Sequence, residues 1–310
     1  MRSVNEVIDG VDLSGRTVVI TGASSGLGRE SARALAATGA HVVLAARNPE
    51  ALAEADAWVR AEVPSARTST VLVDLASLAS VRRTAAELAD AVPRIDVLMN
   101  NAGVMFTPFG RTADGFEMQF GTNHLGHFEW TRLLIPQLAE GARIVNLSSE
   151  GHRISDIDLA DPNWERNEYN KFRAYGAAKT ANVLHAVELD RRLRDRNIRA
   201  FAVHPGIVAT SLARHMDQDD FVKLGEMTPK RSGKPATEKS GKSGKSGPQM
   251  SWVMPDQGAA TQVWAAVSDE LSGLGGVYVS NCRVRDDVEP YAVDPDRARV
   301  LWELSEKLCV

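Results

Sequence analysis

Thr21-Gly22-Ala23-Ser24-Ser25-Gly26-Leu27-Gly28 decides the fold. It follows an apolar run, Thr17–Thr21, and opens a segment of helical period, Leu27–Thr38. Glycines here let the chain turn tightly and let a pyrophosphate rest on a helix N-terminus, where free N–H groups and the helix dipole favour anions. A glycine-rich turn is often only geometry, and its place between a strand and a helix gives it weight. The spacing, T-G-x-x-x-G-x-G, differs from the G-x-G-x-x-G dinucleotide fingerprint.

Outward from that turn, short β-branched runs alternate with helical segments. The expected strands are Thr17–Thr21, His41–Ala45, Thr70–Val73, Ile95–Met99, Arg143–Leu147, Arg199–Val203 and Gly276–Val279. Runs such as Val18-Val19-Ile20 and Val42-Val43-Leu44 lack polar alternation, as strands buried on both faces do. Helices are expected over Leu27–Thr38, Leu78–Ala91, Gly126–Ala139 and Ala177–Arg196. This order predicts a Rossmann-type, doubly wound α/β fold: a parallel sheet of about seven strands, helices on both faces, ligand beyond the carboxyl ends.

Composition narrows the function. The 310 residues, 44% hydrophobic, suffice for one sizeable core, and one domain over 1–310 is expected. A formal charge of −4 speaks against a chain-wide attraction to nucleic acid or anionic membrane. Cys282 and Cys309 have no metal-ligand spacing, so free thiols of a cytoplasmic protein are expected, with no metal site. Met1 to Asp12 lacks a signal-peptide pattern, and no stretch is long and apolar enough for a membrane span. Thr228–Pro248 is rich in Gly, Ser, Lys and Pro and is expected to be a flexible loop. Its Gly-Lys-Ser repeats fail as a phosphate loop, since Ala236 and Lys239 stand where the first glycine is required.

Further motifs follow in order. Asp74-Leu75 ends the third strand, Asn100-Asn101-Ala102-Gly103 the fourth, and Asn123 lies in Thr-Asn-His-Leu-Gly-His-Phe. Ser148-Ser149 ends the fifth, Tyr175-Gly176-Ala177-Ala178-Lys179 opens the long helix, and His204-Pro205-Gly206 follows the sixth. Together with the glycine turn, this order resembles the classical short-chain dehydrogenase/reductase family over most of the chain, roughly 15–208 plus a C-terminal strand and helix. The segment at about 150–174, longer than the common spacing, resembles the retinol-dehydrogenase-like and carbonyl-reductase-like members. It leaves the oligomeric state open between monomer and homodimer.

The resemblance implies a catalytic set of Asn123, Ser149, Tyr175 and Lys179. Tyr175 and Lys179, four apart on a helix, share a face. A phenol with reference pKa near 10 needs an adjacent ammonium and a nicotinamide cation to stabilise its phenolate before it serves as general acid or base. Ser149 would donate a hydrogen bond to the substrate oxygen as negative charge develops. The family's pattern gives Asn123 a water linking Lys179 to solvent, and gives Lys179 the nicotinamide ribose as well. Ser148 is assigned to backbone packing. His124, His127, His152 and His204, read as lying next to strand ends without ligand spacing, are given structural roles.

The same resemblance implies cofactor contacts from Gly22, Ser24, Ser25, Gly26, Leu27, Gly28, Asp74, Leu75, Asn101, Ala102 and Gly103. It adds Tyr175, Lys179, Pro205, Gly206, Ile207, Val208 and Thr210. After the second strand, where an acidic residue would select NAD(H), stand Arg47 and Asn48. A guanidinium can pair with a 2′-phosphate, which favours NADP(H), with NAD(H) second. The expectation is therefore hydride transfer between NADP(H) and a carbonyl or alcohol, on a bulky apolar substrate. Phe221 and Trp252 of a lid over about 212–254 would wall that substrate. The competing reading is a catalytically silent nucleotide-binding regulator of the same fold.

Overall fold

The computed structural model describes residues 2–206, 208, 212, 216, 220 and 253–310. Ile207, Thr210, Phe221, Trp252, most of the expected lid and all of the 228–248 tract lie outside the described residues.

Seven parallel strands form the sheet: β1 Thr17–Thr21, β2 His41–Ala46, β3 Arg67–Leu72, β4 Ile95–Asn100, β5 Leu138–Leu147, β6 Arg199–His204 and β7 Val277–Ser280. Their order, β3-β2-β1-β4-β5-β6-β7, is doubly wound, and winding reverses between β1 and β4. Val18 pairs with Val97 and Ile20 with Met99, so the ends of these strands, Thr21 and Asn100, open the crevice together.

The helices are α1 Val4–Ile8, α2 Gly26–Ala37, α3 Pro49–Glu62, α4 Leu78–Ala91, α5 Met118–Phe120, α6 Gly126–Leu134, α7 Lys171–Leu193, α8 Pro255–Val267 and α9 Pro295–Leu308. Alternate strand residues face opposite ways and build two cores. Val18, Ile20, Leu44 and Met99 pack with Leu35 of α2, Val59 of α3 and Val263 of α8. Val19, Val43, Leu98 and Ile144 pack with Val81 of α4, Phe128 of α6, Leu184 of α7 and Trp302 of α9. Each such aliphatic side chain, fully buried, contributes roughly 1.5–3 kcal/mol.

Short polar side chains set several helix starts by accepting otherwise unpaired N–H groups. Asn48 caps α3, Ser77 caps α4, Asn170 caps α7 and Asp294 caps α9. The cap at Asn170 starts α7 at Lys171, ahead of the expected Ala177, and places Tyr175 in its second turn. The segment expected as one helix to Ala139 ends at Leu134, because Pro136 cannot continue it and Leu138 enters β5. The third strand begins at Arg67, earlier than expected. It is a half-exposed edge strand, Arg-Thr-Ser-Thr-Val-Leu, without the apolar run that marks the central strands.

Candidate active site

The glycine turn joins β1 to α2 with Gly22 at φ 67°. A Cβ on Gly22 would lie 2.8 Å from the Ala102 Cα, and one on Gly28 would collide with the Gly22 carbonyl. At these two glycines the floor is therefore packed against backbone and against the Asn101 amide, with no room for a Cβ. Ser25 precedes α2 without a side-chain cap, which leaves that helix end open toward the crevice.

Thr21 stitches the floor together. Its Oγ1 accepts the N–H groups of Asn101 at 3.0 Å and Ala102 at 3.1 Å, and Asn101 Nδ2 donates to the Thr21 carbonyl at 2.8 Å. Gln262 of α8 donates to Ser31 Oγ at 2.6 Å and to Asn101 Oδ1 at 3.3 Å. Sequence reading passed over Gln262, which stands in no motif and reaches the turn only through the fold. Asp74 accepts the Ala76 N–H at 3.0 Å, and Leu75 lies under Gly126, where a Cβ would strike its carbonyl. Beyond β6, Gly206 has φ 93°, and Val208 pairs with Val253 in an isolated bridge.

At the end of β2, Arg47 is exposed and carries no hydrogen bond or ion pair among the described residues. Asn48 spends its Oδ1 on the Ala51 N–H at 2.7 Å, leaving its amide N–H groups as donors. Arg29 sits 4.5 Å over the centre of the Trp58 ring.

Ser149, Tyr175 and Lys179 converge at the ends of β5 and β6. Tyr175 is buried, its ring edge-on to Phe106 at 5.0 Å. A Cβ at Gly151 would fall 2.7 Å from Tyr175 Cε1, so glycine lets the segment after Ser149 press on the ring. Ser149 Oγ accepts the Gly151 N–H at 3.0 Å, which leaves its own proton to donate. Burial pushes the Tyr175 phenol up to about 12, against a hydrogen bond from Ser149 that favours the phenolate. Lys179 Nζ lies 5.6 Å from the Tyr175 ring centre and donates to the Leu147 carbonyl at 3.1 Å. Burial brings that ammonium down to about 8.

Asn123 sits in a π-helical turn, Gly121–Leu125, between α5 and α6. Its side chain clasps both main-chain groups of one residue, accepting from Val104 N at 2.8 Å and donating to Val104 O at 2.9 Å. Next along the loop, Gln119 Oε1 accepts the Phe106 N–H at 2.8 Å, and Tyr169 donates to the Thr107 carbonyl at 3.0 Å. Buried Glu117 shares the single Tyr169 hydroxyl proton with that carbonyl, also at 3.0 Å, and accepts the N–H groups of Gln119 and Phe120; burial raises the pKa of this carboxyl. These clamps hold residues 104–107, with Phe106 at φ 52°, and none of Glu117, Gln119 or Tyr169 was singled out from sequence.

His124, His127, His152 and His204 all have partners. His124 meets Ser305 Oγ at 2.9 Å, His152 Nδ1 meets the Ser149 carbonyl at 2.7 Å, and His204 Nδ1 accepts the Glu150 N–H at 3.3 Å. His124 and His127 lie in the helical run through α6 and not beside strand ends, which corrects their expected placement. Among the described residues no group of His, Cys, Asp and Glu could hold a metal, and no helix is long and apolar enough to cross a membrane.

The short chain dehydrogenase family model matches residues 16–220. Human retinol dehydrogenase 14 is 39% identical over 95% of this chain and 86% of its own length. The chloroplastic short-chain dehydrogenase TIC 32 B of Brassica napus is 36% identical over 99% of this chain and 92% of its own. An uncharacterised protein from Mycobacterium Paratuberculosis, known from a crystal structure, superposes with a TM-score of 0.73 at 36% identity, covering 96% of this chain and 95% of that one. With its glycine turn, strand order and match over most of its length, the chain belongs to the short-chain dehydrogenase family of oxidoreductases.

Proposed function

We propose that the protein is an NADP(H)-dependent oxidoreductase acting on a carbonyl group or the corresponding alcohol, with a bulky apolar substrate. The observation that carries this reading is the convergence of Ser149, Tyr175 and Lys179 beside the glycine turn. The residues fit a dinucleotide: Gly22 and Gly28 leave a cradle that a Cβ would fill, above an uncapped helix end. Gly22, Ser24, Ser25, Gly26, Leu27 and Gly28 would hold the pyrophosphate. Asp74, Leu75, Asn101, Ala102 and Gly103 would line the adenosine and nicotinamide side, with Pro205, Gly206 and Val208 beyond. Arg47, with Asn48 beside it, would take the 2′-phosphate.

When bound, the nicotinamide supplies or accepts the hydride. In reduction Ser149 donates to the carbonyl oxygen, stabilising the negative charge that grows there, and Tyr175 Oη delivers the proton. In oxidation the tyrosinate takes the proton from the alcohol. Lys179 keeps a positive charge beside the phenol and would hold the nicotinamide ribose. Asn123 fixes Val104 and offers its main-chain carbonyl to the relay. Met105, Phe106, Ile154, Phe172 and Met216 gather about Tyr175, a lining that favours an apolar substrate. Cys282 and Cys309, free and buried, suit a reducing compartment, and we place the protein in the cytoplasm.

The test is NADPH consumption across a carbonyl panel, with Tyr175→Phe beside the parent. We expect the variant to bind NADPH but lose at least about a hundredfold in kcat, the scale of general acid catalysis. Binding without turnover by the parent on any carbonyl would shift the reading to a nucleotide-binding regulator.

A further inference from the structure

His127 of α6 bridges the cofactor floor and the helix that carries Asn123. Its Nε2 lies 2.8 Å from Thr21 Oγ1, and its Nδ1 lies 3.0 Å from the Asn123 carbonyl. The ring is fully enclosed. Thr21 decides which nitrogen carries the proton. Its oxygen already accepts the N–H groups of Asn101 and Ala102, so it has one proton left to give. The Met99 carbonyl is 3.4 Å away, whereas His127 Nε2 is 2.8 Å away. Nε2 is therefore the acceptor, and the neutral ring donates through Nδ1 to the Asn123 carbonyl. Burial holds the ring neutral, with the Lys179 ammonium nearby acting in the same direction; together they bring its pKa down to about 4.

The donors thus point one way: from the Asn101 and Ala102 amides to Thr21, from Thr21 to His127, and from His127 to Asn123. Chains of this polarity strengthen one another. One end is the peptide pair after β4, which packs against Gly22. The other is the carbonyl left for the proton relay once the Asn123 side chain is spent on Val104. We infer that His127 is a positioning residue that sets the relay carbonyl of Asn123 against the cofactor floor at Thr21 and Asn101-Ala102, each ring nitrogen serving one of the two sites. This rests on the hydride-transfer reading above.

Two substitutions separate the nitrogens. In His127→Asn, the side-chain amide nitrogen stands near the place of Nδ1 and keeps the donor to Asn123. In His127→Gln, the amide oxygen reaches the place of Nε2 and keeps the acceptor for Thr21. Both are read with the full chain, measuring the NADPH dissociation constant by fluorescence and kcat on the best substrate of the carbonyl panel. We expect His127→Gln to lower kcat about tenfold with less than about a threefold change in NADPH affinity, and His127→Asn to weaken NADPH binding about tenfold with the smaller effect on kcat, tenfold being about 1.4 kcal/mol or one buried hydrogen bond. Equal losses of both quantities in both variants, as general loosening would give, overturn the inference, and so does parental behaviour in both. Tyr175→Phe in the same assay keeps the two readings apart. If the parent turns over no carbonyl, the hydride-transfer reading fails; if the parent turns over and Tyr175→Phe is inactive while the two His127 variants behave alike, only the role of His127 fails.

Discussion

The Ser148 hydroxyl donates to the main-chain carbonyl of Lys179 at 2.9 Å, pinning the end of β5 to the middle of α7. Its neighbour Ser149 turns the other way, toward Tyr175. Two adjacent serines at a strand end thus face opposite sides, one bound to a helix and one facing the crevice.

Ser149→Ala should lower kcat about a hundredfold or more, since the lost hydroxyl acts on developing charge, and should cost in stability only about 1 kcal/mol for the Gly151 N–H that it caps. Ser148→Ala should instead cost roughly 0.5–1.5 kcal/mol of stability, the net worth of one hydrogen bond, since the Lys179 carbonyl keeps its place within α7, with a far smaller effect on kcat. Urea unfolding and steady-state kinetics on both variants check this. The reverse pattern would move the catalytic serine to Ser148.

The pH profiles of the two directions should diverge. Tyr175 stays protonated over the working range, so reduction should be level until Lys179 loses its charge near pH 8 and should fall above that. Oxidation needs the phenolate and should rise with pH. Measuring kcat/KM in both directions tests this, and a reduction rate that rises through pH 8 would remove Tyr175 as the acid.

Replacing Arg47 with Asp should lower the kcat/KM ratio of NADPH to NADH by roughly tenfold or more, the factor that about 1.4 kcal/mol represents. The side chain has no partner among the described residues, so the change costs no contact in them. An unchanged ratio would assign the phosphate to Arg29, which would then have to leave the Trp58 ring.

Acid should destabilise the protein before its carboxylate ion pairs titrate. Burial depresses His124 to about 3, His127 to about 4 and His185 well below its ordinary value. A depressed group contributes stability above its unfolded pKa, near 6.5, and loses it as pH falls toward the folded value. Each of His124 and His127 should therefore cost about 2 kcal/mol by about pH 5. Glu117, raised by burial, works oppositely, as one carboxyl against three imidazoles. Urea midpoints between about pH 7 and 5 should fall steadily, and a flat series would contradict these environments.

Sequence alone was enough for the architecture. Runs such as Val18-Val19-Ile20 reveal strands buried on both faces, and the glycine turn between β1 and α2 marks the nucleotide end, because local sterics and periodicity act over a few residues. Through its resemblance to the short-chain family it also named Asn123, Ser149, Tyr175 and Lys179 as the candidate set. Tertiary structure decided what those side chains touch. The Asn123 amide is spent on Val104, Ser148 and Ser149 part company, and Glu117, Gln119, Tyr169 and Gln262 hold the floor from outside any motif. Gln262 and Asn101 are remote in the chain, and only the packing of α8 beside the glycine turn brings them together. Such hydrogen bonds leave no periodic trace, because their geometry is set by the sheet and not by residue spacing.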